Sequence, residues 1–296
     1  MKYGSVTLGQ VEAAINKLGG QDVWDAWLRG EKTVTVEDAI RFFFDKHGRR
    51  IPEGLKANVC DANRDFRLDQ PKLDKEVDFA NRILQLHGCL SIDTEVTAEQ
   101  LKGETERLLA MIRENSQIAN IASGVCLPVV LPKLVTDDLG AELELYLAGV
   151  NNSYAKTFGD RKFYNHRKGT LANEVSVVDG SRHDQLISRM KEGLVIGLHF
   201  PNPLQGFSIN ASREQMSTLP EGFILSGVDT PIAMTMYPDI LARDWNTPGL
   251  DMAALSWRSA DSSLRFRALD DGLDFSRTGP LASVYVDYSG GLLFFG

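Results

Sequence analysis

The chain has 296 residues, 43% of them apolar and 24% charged, an ordinary balance for a globular protein. That length allows one large domain or two smaller ones and a sizeable core that needs no disulfide or metal staple. A formal net charge of -8 disfavours the nonspecific nucleic-acid affinity of a strongly basic surface, while leaving room for a local basic patch.

In chain order, Thr7 and Gln10 have the spacing of a capping box, in which each side chain satisfies an orphan amide at a helix start. Leu8, Val11, Ala14, Ile15 and Leu18 then recur at helical steps, and Gly19-Gly20 stops the pattern. Val23, Trp24, Trp27 and Leu28 form a second stripe closed by Gly30, and Val34 and Val36 alternate with threonines as in a short strand. Residues 37–47 read as a helix with Ile40, Phe43 and Phe44 inward, followed by a turn from Gly48 to Gly54. A helix is expected over 75–87 through Val77, Ala80, Ile83 and Leu84. Thr97 and Gln100 repeat the capping box ahead of a long helix through Leu101, Leu108 and Ile112 and on to Ile118 or Ile121.

Past Pro128 and Pro132 the character changes. Short apolar runs at Leu143–Leu147, Val175–Val178, Leu194–Phe200, Phe223–Leu225, Leu264–Leu269, Val284–Tyr288 and Leu292–Phe295 alternate with turn residues. A short helix over 182–192 follows a plausible cap at Ser181. The closing GGLLFFG is too apolar for a solvated tail and reads as a buried strand. The expected fold is α+β: a mainly helical N-terminal part, then a mixed or antiparallel sheet body with short helices. The expected divisions are a leader at 1–36, a helical region at 37–125 and a body at 126–296; the alternative joins 37–296 into one domain.

The segment VTLGQVEAAINKLGGQDVWDAWLRGEKTVTV resembles a two-helix leader carried by many otherwise unrelated, uncharacterised bacterial proteins of candidate-phyla type. The stretches GLHFPNPLQGFSINASREQM, LPEGFILSG, MYPDILARDW and SGGLLFFG look like the carboxy-terminal part of proteins with that leader. The resemblance implies recruitment or assembly and carries no activity with it.

Chemistry-bearing constellations are few. Asp61, Asn63, Asp65 and Asp69 stand at alternating positions of a calcium-type loop, but Phe66 replaces its glycine and Lys72 its bidentate glutamate, so a capped surface turn is expected. Lys156, Arg161, Lys162, Arg167 and Lys168 interleave with Phe158, Phe163 and Tyr164, the composition that holds single-stranded nucleic acid or an acidic partner. The alternative there is a solvated loop whose aromatics fill the core. His199, or His183 beside Asp184, offers a weak catalytic histidine, with Ser181 and Ser208 within the same region. The proline-rich run from Pro201 to Pro248, with Asp229, Asp239, Asp244 and Trp245, reads as rigid connections that could also hold an acid/base pair.

Several familiar signatures are missing. There is no Gly-x-Ser-x-Gly elbow, His-Glu-x-x-His pair, Walker loop or Gly-x-Gly-x-x-Gly. Cys60, Cys89 and Cys126 are odd in number and far apart, which gives neither a zinc site nor a secreted disulfide framework. No window approaches the ~18 apolar residues of a membrane span, and no apolar signal region opens the chain. A cytoplasmic protein without membrane association or cofactor is therefore expected.

The leading functional expectation is an interaction or assembly protein whose leader, through Trp24 and Trp27, docks to a protein partner or a second copy. The alternatives are an enzyme of unrecognised type with its site in 180–290, and a nucleic-acid or acidic-partner binder through 156–168.

Overall fold

The computed structural model describes residues 7–34, 41–62, 65–90 and 95–296. The chain divides into two compact units, Met1–Arg41 and Phe42–Gly296.

In the first unit, α1 (Leu8–Lys17) begins at the anticipated capping box, with Thr7 and Gln10 bonded reciprocally. Gly19 and Gly20, both at positive φ, end it and allow α2 (Gln21–Leu28) to follow at once. The proposed strand around Val36 lies outside the described residues, as does Ile40.

The second unit contains α3 (Glu76–Leu90), α4 (Ala98–Glu114), a 3-10 turn at Ala119–Ser123, β1 (Leu127–Leu131) and α5 (Leu139–Phe158). β2 (Lys162–Asn165), β3 (Val175–Val177), α6 (His183–Glu192), β4 (Val195–Gln205), α7 (Ile209–Gln215), β5 (Phe223–Leu225) and α8 (Asp229–Met236) come next. The series ends with α9 (Pro238–Leu241), β6 (Gly249–Asp251), β7 (Leu255–Trp257), β8 (Leu264–Ala268), β9 (Gly272–Arg277) and β10 (Tyr288–Phe294). This is the expected α+β class.

Eight strands form a mixed sheet in the order β1-β4-β10-β6-β8-β9-β2, with β5 also paired to β10. The β10–β6 and β2–β9 pairs are parallel and the rest antiparallel. β3 and β7 form a separate two-stranded ribbon. β4 is the axis of the sheet: β1 pairs with its first half, through Leu127↔His199, and β10 with its second, through Ser289↔Gln205.

Alternate residues along these strands feed two apolar clusters, one on each face. Leu198, Phe200, Leu292 and Phe294 pack with α4 residues Leu108 and Ile112. Leu127, Val129, Leu131 and Leu293 pack with α5 and α8. Burial on both faces removes the polar/apolar alternation of a half-exposed sheet, which explains the unbroken apolar runs.

Several elements differ from the sequence reading. The described part of 37–47, from Arg41, is an irregular segment with a β-bridge between Phe44 and Arg50, although Phe44 is buried as expected. In α3 the buried face is Phe79, Ile83, Leu86 and Cys89, while Val77 and Leu84 face outward. Ile118 and Ile121 are buried, but beyond the end of α4. Leu143–Leu147 lies inside α5 and is not a strand; Leu143, Tyr146, Leu147, Val150 and Tyr154 mark its helical stripe. Val284–Tyr288 is irregular up to Tyr288. The N-cap position of α6 is Arg182, in the left-handed region and without a side-chain cap bond of its own, while Ser181 Oγ accepts the His183 N–H at 3.3 Å.

Two glycines let α5 approach its neighbours. A Cβ at Gly140 would sit 1.8 Å from the Leu171 carbonyl oxygen, and one at Gly149 2.2 Å from Leu90 Cδ2. The first clash is with backbone, which cannot swing aside as a side-chain end can. Gly140→Ala is expected to lower the stability of the sheet-containing unit by about 2 kcal/mol or more, in the range of overpacked cores, measured as a shift in the urea midpoint. Gly103→Ala inside α4, where a Cβ meets nothing, serves as the comparison and is expected to raise stability by up to about 1 kcal/mol through helix propensity.

Candidate functional site

The densest group of chemically capable side chains lies where the β5–α8 connection, Ser226-Gly227-Val228-Asp229, passes over the middle of β4. His199 stands between Leu198 and Phe200 on β4, and its neighbours' place in the opposite cluster leaves it on the α8 side. Its Nδ1 lies 2.8 Å from Asp229 Oδ2. Asp229 opens α8, and its Oδ1 accepts the Gly227 N–H at 2.6 Å, so one carboxylate ties the turn and reaches the strand. Ser226 Oγ lies 3.5 Å from His199 Nδ1. Opposite, Gly291 of β10 leaves room: a Cβ there would be 2.7 Å from Ser226 Oγ and 3.2 Å from His199 Cε1.

His183, at the start of α6, joins the same turn. The Val228 N–H donates to its Nε2 at 3.2 Å, so the ring proton sits on Nδ1, which donates to the Leu225 carbonyl at 3.0 Å. Both ring nitrogens are thereby used in the neutral form. Burial pushes the His183 pKa below its ordinary value, against the pull of Asp229. For Asp229, burial favours the neutral acid, but the His199 hydrogen bond, the two histidine charges and the Gly227 N–H outweigh it and hold the carboxyl below the usual range.

This geometry can orient an imidazole and store a charge. Asp229 holds His199 in the tautomer with its proton on Nδ1, which turns the Nε2 lone pair away from the acid; Nε2 is buried and has no hydrogen-bond partner among the described residues. Such an arrangement is half of a base-catalytic unit. The other half, substrate access, is closed, because His199 is 1% and Asp229 0% exposed.

The sequence therefore pointed to both histidines and named the wrong acid. Asp184 is exposed and makes no bond to His183 within the cluster. Asp229 was singled out only within a supposed run of rigid connections. That run instead contains the end of β4, then α7, β5, α8 and α9. The available signal was the Ser-Gly-Val-Asp turn joining an apolar strand to an apolar helix.

The other candidate residues are dispersed. Arg161 donates to the carbonyls of Arg243 and Leu269 and packs over Tyr154 and Phe158, so it is a structural tie. Arg167 stacks 5.0 Å from the centre of Trp257. Phe163 stacks on Phe266, and the Tyr164 hydroxyl donates to Asp271. Lys156, Lys162 and Lys168 are exposed without an aromatic platform among these rings. Asp69 is engaged by Arg243, Asp61 is 3.8 Å from Arg49, and Asn63 lies outside the described residues. Among the described residues no three His, Cys, Asp or Glu side chains converge as a metal site would require. Ser208 caps α7. Trp24 and Trp27 pair with ring centroids 4.9 Å apart on α2. No described helix is long and apolar enough to cross a membrane.

Both depressed pKa values make acid destabilising. His183 binds a proton more readily unfolded than folded, so stability rises with pH through and below its ordinary value near 6.5. The Asp229 contribution is present above the usual carboxylate range and is lost as pH falls through its depressed pKa. Urea midpoints are expected to fall between pH 7 and pH 5, with a slope of at most about 1.4 kcal/mol per pH unit for the single His183 titration. His183→Gln flattens that slope. Asp229→Ala, which strands His199, is expected to cost about 3–5 kcal/mol by chemical denaturation at pH 7.

Comparison with protein-family models, with curated proteins and with solved structures finds no match to this chain.

Proposed function

We propose that this chain is an interaction or assembly protein, not an enzyme, and that its leader helices dock onto a protein partner in the cytoplasm. The observation that carries this reading is the exposure of the leader's apolar stripes. No residue of α1 is buried; Leu8 is 89%, Leu28 64% and Trp27 38% exposed. Helices of 10 and 8 residues are shorter than the roughly 12–15 at which isolated helices become even marginal in water. The Thr7–Gln10 capping box starts α1, whereas α2 starts at Gly20 without a side-chain cap, so an apolar surface that covers the stripes would stabilise both helices. Tryptophan and leucine side chains on a pre-capped hairpin fit the helix-in-groove mode of recognition. The resemblance of this segment to leaders on other bacterial proteins is consistent with a shared partner.

A second reading, enzymatic, is favoured by the convergence of His199, Asp229 and Ser226. It ranks below the first because the dyad is sealed from solvent.

The test uses the full chain carrying Trp27→Glu and Leu28→Glu. The wild-type chain is expected to capture a partner from native lysate and to rebuild that complex from purified components, or to self-associate in sedimentation. The double variant is expected to lose either association at least tenfold, about 1.4 kcal/mol, with the unfolding midpoint of residues 42–296 unchanged. Association that survives both substitutions defeats the reading.

A further inference from the structure

A groove of about 660 Å³ in the sheet-containing unit stands apart from the histidine cluster and from the leader. Its wall is built by the loops that precede α3 and by the far end of β4. Two carboxylates, Asp45 and Asp61, are matched there by two guanidiniums, Arg49 and Arg67, alongside His47. The groove therefore selects neither a polyanion nor a polycation. Asp61 is fully exposed, with its Oδ1 3.8 Å from Arg49 Nη1, so acceptor and donor are presented side by side. Arg49 is itself fixed, since it donates to the carbonyls of Gln205 and Cys60.

One edge of the groove is aromatic. Phe66 lines it and meets Trp245 edge-on, with ring centroids 6.1 Å apart and planes at 83°. The Arg67 N–H bonds to the Asn246 carbonyl at 3.1 Å and holds the two segments together. Trp245 is 55% exposed. Gln205, which also lines the groove, donates to the carbonyls of both Phe66 and Val286. Exposed large rings beside a polar floor mark a binding surface more often than isolated exposed residues do.

We propose that this groove binds a neutral saccharide, whose hydroxyls bridge Asp61 and Arg49 while the apolar face of a sugar ring lies on Trp245. Hydroxyl groups donate to a carboxylate and accept from a guanidinium, so a polyol satisfies both partners at once. A nucleic-acid strand meets two carboxylates on the same wall, and a wholly apolar peptide leaves the floor unsatisfied. The reading is independent of how the leader functions.

The probes are maltopentaose, cellopentaose and N-acetylchitopentaose, titrated into the full chain and followed by saturation-transfer NMR, with a short oligothymidylate as the charged control. One of the three sugars is expected to bind with a micromolar to millimolar dissociation constant. Trp245→Ala and Asp61→Asn, made separately, each weaken that binding about tenfold or more. Both side chains are exposed, so thermal melting checks that each variant is folded. Absence of binding by all three sugars at millimolar concentration overturns the proposal. So does an affinity that either substitution leaves unchanged, or tighter binding of the oligothymidylate.

Discussion

A strand buried on both faces has no water with which to solvate a polar side chain, so any such group on β4 must be satisfied from within the protein. His199 sets that requirement, and the local architecture answers it at Nδ1, while Nε2 stays without a partner among the described residues. The β5–α8 turn delivers Asp229 to Nδ1, the same turn presents the Val228 N–H to His183, and Gly291 keeps the opposite strand clear of Ser226. The apolar cores on the two faces supply most of the burial. The polar cluster ties the start of α8 to β4 and α6, because Asp229 bonds to His199 and the Val228 N–H to His183.

The two units follow opposite physical regimes. In the sheet-containing unit, apolar surface is enclosed and the polar groups are the exceptions that need an explanation. In the leader, α1 starts at a full capping box and the apolar surface is the exception: α1 carries its stripe with no residue buried.

Much of the α+β class was legible because helix starts and terminal strands carry local signals. Both capping boxes, the buried face of α4 and the closing strand β10 are where the sequence places them. α5 was misread because apolar side chains cover most of its circumference, and Leu143, Leu145 and Leu147 then mimic the alternation of a strand. The face of α3 was assigned a residue out of phase, since Val77 and Leu84 are apolar yet outward, and hydrophobic identity alone does not reveal which side is covered. The histidine cluster was half legible. Residue type nominated His183 and His199, but the partner lies 30 positions beyond His199, a separation no local pattern encodes. Arg161 shows the converse error: a basic residue in an aromatic-rich stretch reads as a ligand contact until its carbonyl partners appear.

The position of β10 also governs the order in which the molecule assembles. β4, β5 and β6 all take it as a neighbour, yet it begins at Tyr288, 83 positions after the end of β4 at Gln205 (288 − 205). During synthesis the middle of the sheet therefore stays incomplete while α7, α8 and the β8–β9 hairpin emerge, and the central ladder closes in a late, long-range step. Until then the edge of β4 that β10 will cover is an unpaired, apolar strand edge, the kind of surface that templates mispairing.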